Sequence, residues 1–173
     1  MRVTLLAATT LATIFATAAT ASGYPPRKPG LWEVTAQNPK MPAVTTKMCL
    51  DAETDILLHM FDIVPTLNCA KHDVKFAGET VTTDTTCLAA RTTITTNSVT
   101  KFAGDAAYHV DITMHFNPPR AGLSQVSMIQ DGKWVGDCPA GMAPGDLILA
   151  GTRKINIKTS NNPPSLLPNF GAD

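Results

Sequence analysis

The sequence predicts a mainly β protein: a twisted antiparallel sheet, able to close towards a small barrel, with one packed α-helix at about residues 51–62 and two disulfides. Three observations predict it. Threonine-rich runs, above all residues 80–88 and 91–102, suit strands, because β-branching favours extended backbone and the hydroxyl tolerates a wet face. Short turn sequences separate such runs: Gly78-Glu79, Ala103-Gly104-Asp105 and Gln130-Asp131-Gly132. Strands joined through tight turns must pair antiparallel. Finally, the four cysteines, Cys49, Cys69, Cys87 and Cys138, are an even set without a Cys-x-x-Cys pair. That pattern reads as disulfides rather than a zinc knuckle or a thioredoxin-like redox site.

Each element follows in chain order. Residues 1–21 read as a signal peptide: Arg2 supplies one positive charge, residues 3–21 carry none, and Ala19-Thr20-Ala21 is a small-x-small cleavage pattern. The apolar stretch is diluted by Thr and Ala and is short of the about 20 predominantly apolar residues that span a bilayer. Cleavage after Ala21 is expected, placing the protein in the periplasm with no transmembrane segment left. Residues 22–29 form a Pro-rich lead-in, expected to be extended and loosely held. A single antiparallel β domain is expected over residues 30–158, and residues 159–173, with Pro163, Pro164 and Pro168, read as a mobile tail.

Within the domain, residues 31–35 begin a strand, Pro39 and Pro42 break it, and residues 43–50 form the next. Asp51 can cap the helix that follows, and Glu53 and Asp55 suit the positive end of its dipole. Ile56, Leu57, Met60 and Phe61 recur at helical spacing as its apolar face, and Pro65 limits it. Three hairpins come next: residues 73–77 with 80–88, 91–102 with 107–116, and 124–129 with 133–135. Residues 136–145 read as a rigid loop, since Pro139 and Pro144 restrict φ and Gly141 and Gly145 can supply positive φ. Four cysteines allow three connectivities. The favoured one is Cys49–Cys69, closing the helical excursion, with Cys87–Cys138 tying a central strand to the late loop.

Charge excludes more than it identifies. Fourteen basic and fourteen acidic side chains cancel, only 16% of residues are charged, and no Lys/Arg run could neutralise a row of phosphates. A nucleic-acid partner is therefore not expected. At 44% hydrophobic, the chain is not a disordered one either.

Three segments carry a family resemblance: Lys28-Pro29-Gly30-Leu31-Trp32-Glu33-Val34, Cys49-Leu50-Asp51, and Gly136-Asp137-Cys138-Pro139-Ala140-Gly141-Met142-Ala143-Pro144-Gly145-Asp146. With the cysteine framework they resemble the bacterial domain-of-unknown-function family 3617, from about Lys28 to Ile157. The resemblance implies an exported proteobacterial envelope protein without an established activity, and it brings no catalytic residues to transfer. The short connection over residues 117–123 departs from relatives, which tend to carry a longer Gly/Pro/Met-rich insertion there.

Candidate sites are few. On the strand after Ala107, alternation places Tyr108, Val110, Ile112, Met114 and Phe116 on one face and His109, Asp111, Thr113 and His115 on the other. His109 and Asp111 lie about 7 Å apart at Cα, and a metal would need a further ligand from the neighbouring strand. His115, about 20 Å from His109, cannot share that ion. A solvated polar face explains the same residues. The methionines Met41, Met48, Met60, Met114, Met128 and Met142 form no Met-x-Met copper cluster. There is no Gly-x-Ser-x-Gly elbow and no phosphate-cradling signature, so no catalytic residue is assigned and no cofactor is implied.

Gly30-Leu31-Trp32 resembles the start of lipocalin-type barrels, whose interiors hold small apolar ligands. Trp32, Met60, Phe61 and Tyr108 are then the candidate ligand-binding residues, with the helix plugging or lining the pocket. The expected function is a non-enzymatic binding domain for a small apolar molecule or an envelope component. The alternatives are a metal carrier or metal-dependent hydrolase around His109 and Asp111, and a structural interaction protein.

Overall fold

A computed structural model describes residues 23–61, 68–149 and 153–159 of the 173-residue chain. The expected signal peptide and tail lie outside the described residues, apart from Thr159. Among the described residues, nine strands and one helix are formed: β1 (Gly30–Asn38), β2 (Met41–Leu50), α1 (Ala52–Phe61), β3 (Asn68–Ala77), β4 (Thr80–Ala89), β5 (Thr92–Ala103), β6 (Ala107–Arg120), β7 (Leu123–Gly136), β8 (Asp146–Leu149) and β9 (Arg153–Asn156). All pairs are antiparallel, in the order β3-β4-β5-β6-β7-β1-β2-β8-β9. The sheet does not close, so the barrel expectation gives way to an open sheet with β3 and β9 as its edges.

Local chemistry forms most of these elements as expected. The Gly78 and Gly104 turns, both at positive φ, set the β3–β4 and β5–β6 hairpins. Asp51 caps α1: its Oδ1 accepts the Thr54 N–H at 2.8 Å, and the Thr54 hydroxyl accepts the Asp51 N–H in return.

Four local expectations are corrected. Gln130-Asp131-Gly132 is no turn, and β7 runs straight through it. Gly132 is the register partner of Tyr108, and a Cβ at Gly132 would overlap the Tyr108 ring. Glycine is here a gap in the sheet surface that an aromatic ring fills. The buried side of α1 is Thr54, Asp55 and Leu58, while Ile56 is 62% exposed. The helix is rotated to bring Asp55 inward, where it meets a cation. The side chains of Met60 and Phe61 lie outside the described residues. The lead-in is docked rather than loose, with Arg27 buried and the Lys28 N–H donating to the Asp105 carbonyl at 2.8 Å. β6 also continues to Arg120 and turns at Ala121-Gly122, both at positive φ, which shortens the connection to β7.

The disulfides are Cys49–Cys138 and Cys69–Cys87, not the expected pairing. Cys69 and Cys87 face each other across the β3–β4 ladder, where the Gly78 turn sets the register. Five strands separate β3 from β2, so Cys69 is carried far from Cys49. Cys49 instead joins the loop after β7, with a Cα separation of 5.6 Å. That loop is rigid as expected, with Gly141 and Gly145 at positive φ. The Gly145 N–H donates to the Cys49 carbonyl, and buried Asp146 accepts from Ala143 N–H, Asn156 and Lys154. These contacts create β8 and β9, which the sequence pattern did not announce.

The core lies on one face of the sheet. Trp32, Val34 and Ala36 of β1, Tyr108 to Phe116 at alternate positions of β6, and Val126 and Met128 of β7 are buried there with Leu58 of α1. Full burial of each large apolar side chain contributes about 1.5–3 kcal/mol. The opposite face of β5, β6 and β7 carries His109, Asp111, Lys101 and Asp131.

Candidate functional site

Period-two alternation divides one region of the sheet into two sites. Tyr108 and Gly132 point to the core, while their chain neighbours His109 and Asp131 point outward.

The outward site is a histidine between two carboxylates. His109 Nδ1 lies 2.7 Å from Asp131 Oδ1, and His109 Nε2 lies 3.4 Å from Asp111 Oδ1. Asp131 is the neighbouring-strand partner that the sequence left unidentified, hidden because Asp131-Gly132 resembles a turn. The hydrogen bond to Asp131 raises the His109 pKa above its usual 6.5, with Asp111 adding to the effect. Each ring nitrogen faces a different carboxylate, so the two carboxylates flank the imidazole instead of converging with it on a common point. Among the described residues, no group of three or more His, Cys, Asp or Glu is placed to hold a metal ion. The arrangement favours the protonated ring. His115 lies six residue pairs along the β6–β7 ladder from His109, opposite Gln125, and takes no part in it.

Two open depressions lie end to end along this outward face. One, of about 540 Å³, is bordered by Glu33, Lys101, His109, Asp131 and Lys133. Glu33 is shared by Lys47 and Lys133, at 3.5 and 3.4 Å. The next, of about 400 Å³, is lined by Gln37, Asp111, Thr113, Ser127 and Ile129, with Asn38, Pro39 and Ala43 from the β1–β2 hairpin closing its end. Successive rungs of the ladders join the two: Thr35–Asp131–His109, then Gln37–Ile129–Asp111. Together they form a groove that exposes more apolar than polar surface along both halves, with the charged side chains Glu33, Lys101, His109, Asp131 and Lys133 bordering one of them.

The inward site is packed. The buried Arg27 guanidinium lies 5.9 Å from the Trp32 ring centre and 5.5 Å from that of Tyr108. Its Nε meets Asp55 Oδ1 at 2.5 Å and its backbone N–H donates to Asp55 Oδ2 at 3.0 Å. Trp32 in turn donates its indole N–H to the Lys28 carbonyl. Tyr24 stacks on His59 with ring centres 4.1 Å apart. Burial pushes the His59 pKa from 6.5 down to about 4; the adjacent Arg27 charge adds to this, against an opposing pull from Asp55. The space left among Tyr24, Arg27, His59, Phe102 and Tyr108 is only about 40 Å³. Of the candidate ligand residues, Trp32 and Tyr108 therefore pack against each other and against Arg27. Arg27 itself carried no signal in the sequence beyond standing next to the Lys28–Val34 motif.

With that geometry in place, comparison with known proteins is informative. The family model described as "Protein of unknown function (DUF3617)" matches residues 27–138. The chain belongs to the DUF3617 family. The matched region opens at Arg27 and closes at Cys138, so it takes in both histidine sites, while β8 and β9 follow it. No curated protein and no solved structure matches the chain. Two disulfides in this DUF3617 chain point to an oxidising, exported environment. No helix among the described residues is long and apolar enough to cross a membrane.

Proposed function

We propose that this DUF3617 protein is a non-enzymatic binding domain of the periplasm, delivered there by a signal peptide cleaved after Ala21, and that it holds its ligand on the outward groove. The observation carrying the reading is the predominantly apolar depression of about 400 Å³ beside Ile129. Its volume falls in the range of roughly 300–1,000 Å³ typical of small-molecule sites, whereas the inward space beside His59 is only about 40 Å³. The ligand class is a small apolar molecule, or the apolar part of an envelope component, with the charged half of the groove available to a polar end. His109 favours binding over proton transfer, because both ring nitrogens are engaged by carboxylates.

The test is native mass spectrometry of protein purified from its own periplasm, paired with a titration of the apolar fluorophore N-phenylnaphthylamine. A retained small molecule, fluorophore binding, and loss of both in Ile129→Arg are expected, with a chain that starts at Ser22. A protein that carries nothing and ignores the fluorophore overturns the ligand reading.

A further inference from the structure

The inward site contains one carboxylate approached by two potential cations. Arg27 Nε and His59 Nε2 both face the same Asp55 oxygen, Oδ1, at 2.5 and 3.6 Å. Arg27 is always charged; the imidazole need not be. His59 Nε2 is buried and has no hydrogen-bond partner among the described residues. Around His59, the lead-in contributes Arg27 and the Tyr24 ring, α1 contributes Asp55, and β5, β6 and β7 contribute Thr100, Phe102, Tyr108 and Gln130. Arg27 and Asp55 are the charged groups in this set, and Tyr24 and Tyr108 its other titratable ones.

A proton on His59 would meet two obstacles while the lead-in is docked. It would place a second cation beside Arg27 around a single carboxylate, and the stacked Tyr24 ring would keep water from the new charge. Departure of residues 24–27 removes both: Arg27 leaves Asp55 to the imidazolium, and Tyr24 uncovers it. The residues beyond the strap are held independently, through the Trp134 indole N–H to the Pro29 carbonyl and the Lys28 N–H to Asp105. The hinge therefore falls between Arg27 and Lys28.

We propose that residues 24–27 are an acid-released strap, with His59 as its trigger, whose departure uncovers the aromatic face of Trp32 and Tyr108. The direction follows from linkage: the docked form accepts the proton only near pH 4, the released form near 6.5, so acid favours release between those values. Over that range the docked-to-released ratio falls by about a hundredfold.

The experiment is an NMR titration of the whole protein from pH 7.5 to 4. It follows the His59 imidazole, the Tyr24–His59 nuclear Overhauser contact, and the amides of Val110 and Ile112 as reporters of the sheet. The expected result is that the Tyr24–His59 contact is lost as His59 titrates, with the sheet amides unmoved. In His59→Phe, which keeps an aromatic partner for Tyr24, the strap should stay docked through that interval; His59→Gln serves as a second uncharged variant, followed through the Arg27 amide. A strap that remains docked after His59 has taken its proton overturns the proposal. So does release at the same pH in the parent and both variants, or a sheet that unfolds before the strap leaves.

Discussion

His59 of α1 and His109 of β6 lie against opposite faces of the same strip of sheet and meet opposite surroundings. His109 stands outward, 39% exposed, with a carboxylate at each ring nitrogen, and its pKa is raised. His59 is enclosed, shares Asp55 with an arginine, and its pKa is pushed down to about 4. Asp131 and Gly132, adjacent in the chain, serve one site each: Asp131 holds His109, and Gly132 makes room for the Tyr108 ring beneath Arg27. The difference teaches that the number of nearby carboxylates does not set a histidine's charge. What matters is whether water and an unshared carboxylate reach it.

The comparison is broken most severely by Arg27→Ala. It leaves Asp55 buried without its cation and removes the packing on Trp32 and Tyr108, so a loss of about 3 kcal/mol in a urea unfolding curve at pH 7 is expected, capped by the cost of undocking the strap. A loss below 1 kcal/mol would show that the inward pair is not the keystone described here. Gly132→Ala comes next, at about 2–3 kcal/mol, because the added Cβ meets the Tyr108 ring in a packed core. Substituting glycine at the exposed Gly78 turn strains backbone alone, so a Gly78→Ala control separates steric from conformational cost.

Proton linkage sharpens the contrast, since the two sites carry opposite signs. For His59 the unfolded chain binds the proton more readily than the folded one. Stability should therefore fall as pH drops from 6.5 towards 4, by about 2 kcal/mol, and His59→Phe should flatten that slope in thermal unfolding. For His109 the folded pKa is raised, so its contribution is complete below pH 6.5 and disappears as pH rises through the raised value. Being solvent-screened, that contribution stays under about 1 kcal/mol, and His109→Gln should remove it below pH 6.5 while leaving stability above the raised pKa unchanged. A His109→Gln protein that loses as much stability at alkaline pH as at pH 6 would contradict the assignment.

Hairpins were legible because they depend on neighbouring residues. Gly78 and Gly104 at positive φ, each flanked by one Thr-rich run, β4 or β5, are sufficient to align β3 with β4 and β5 with β6. The Asp51 cap was legible for the same reason. The helix face was misread from apolar spacing alone, because Asp55 is drawn inward by Arg27, 28 residues earlier, and no periodicity encodes that pairing. At the outward site, His109 and Asp111 were visible as alternate residues of one strand. Asp131 was not, because its dipeptide with Gly132 mimics a turn when the Tyr108 ring is out of view.

The sequence by itself determined an antiparallel, threonine-faced sheet with one capped helix, an even set of cysteines suited to an oxidising compartment, and the motifs that mark its family. Only the tertiary structure decided that the sheet stays open, that Cys49 joins Cys138, and that Arg27 closes over Trp32. Turns, caps and strand preference act over a few residues, where side-chain chemistry is enough to choose a conformation. Strand order, disulfide partners and a buried ion pair join residues far apart in the chain, and they are chosen by which distant surfaces can be buried together.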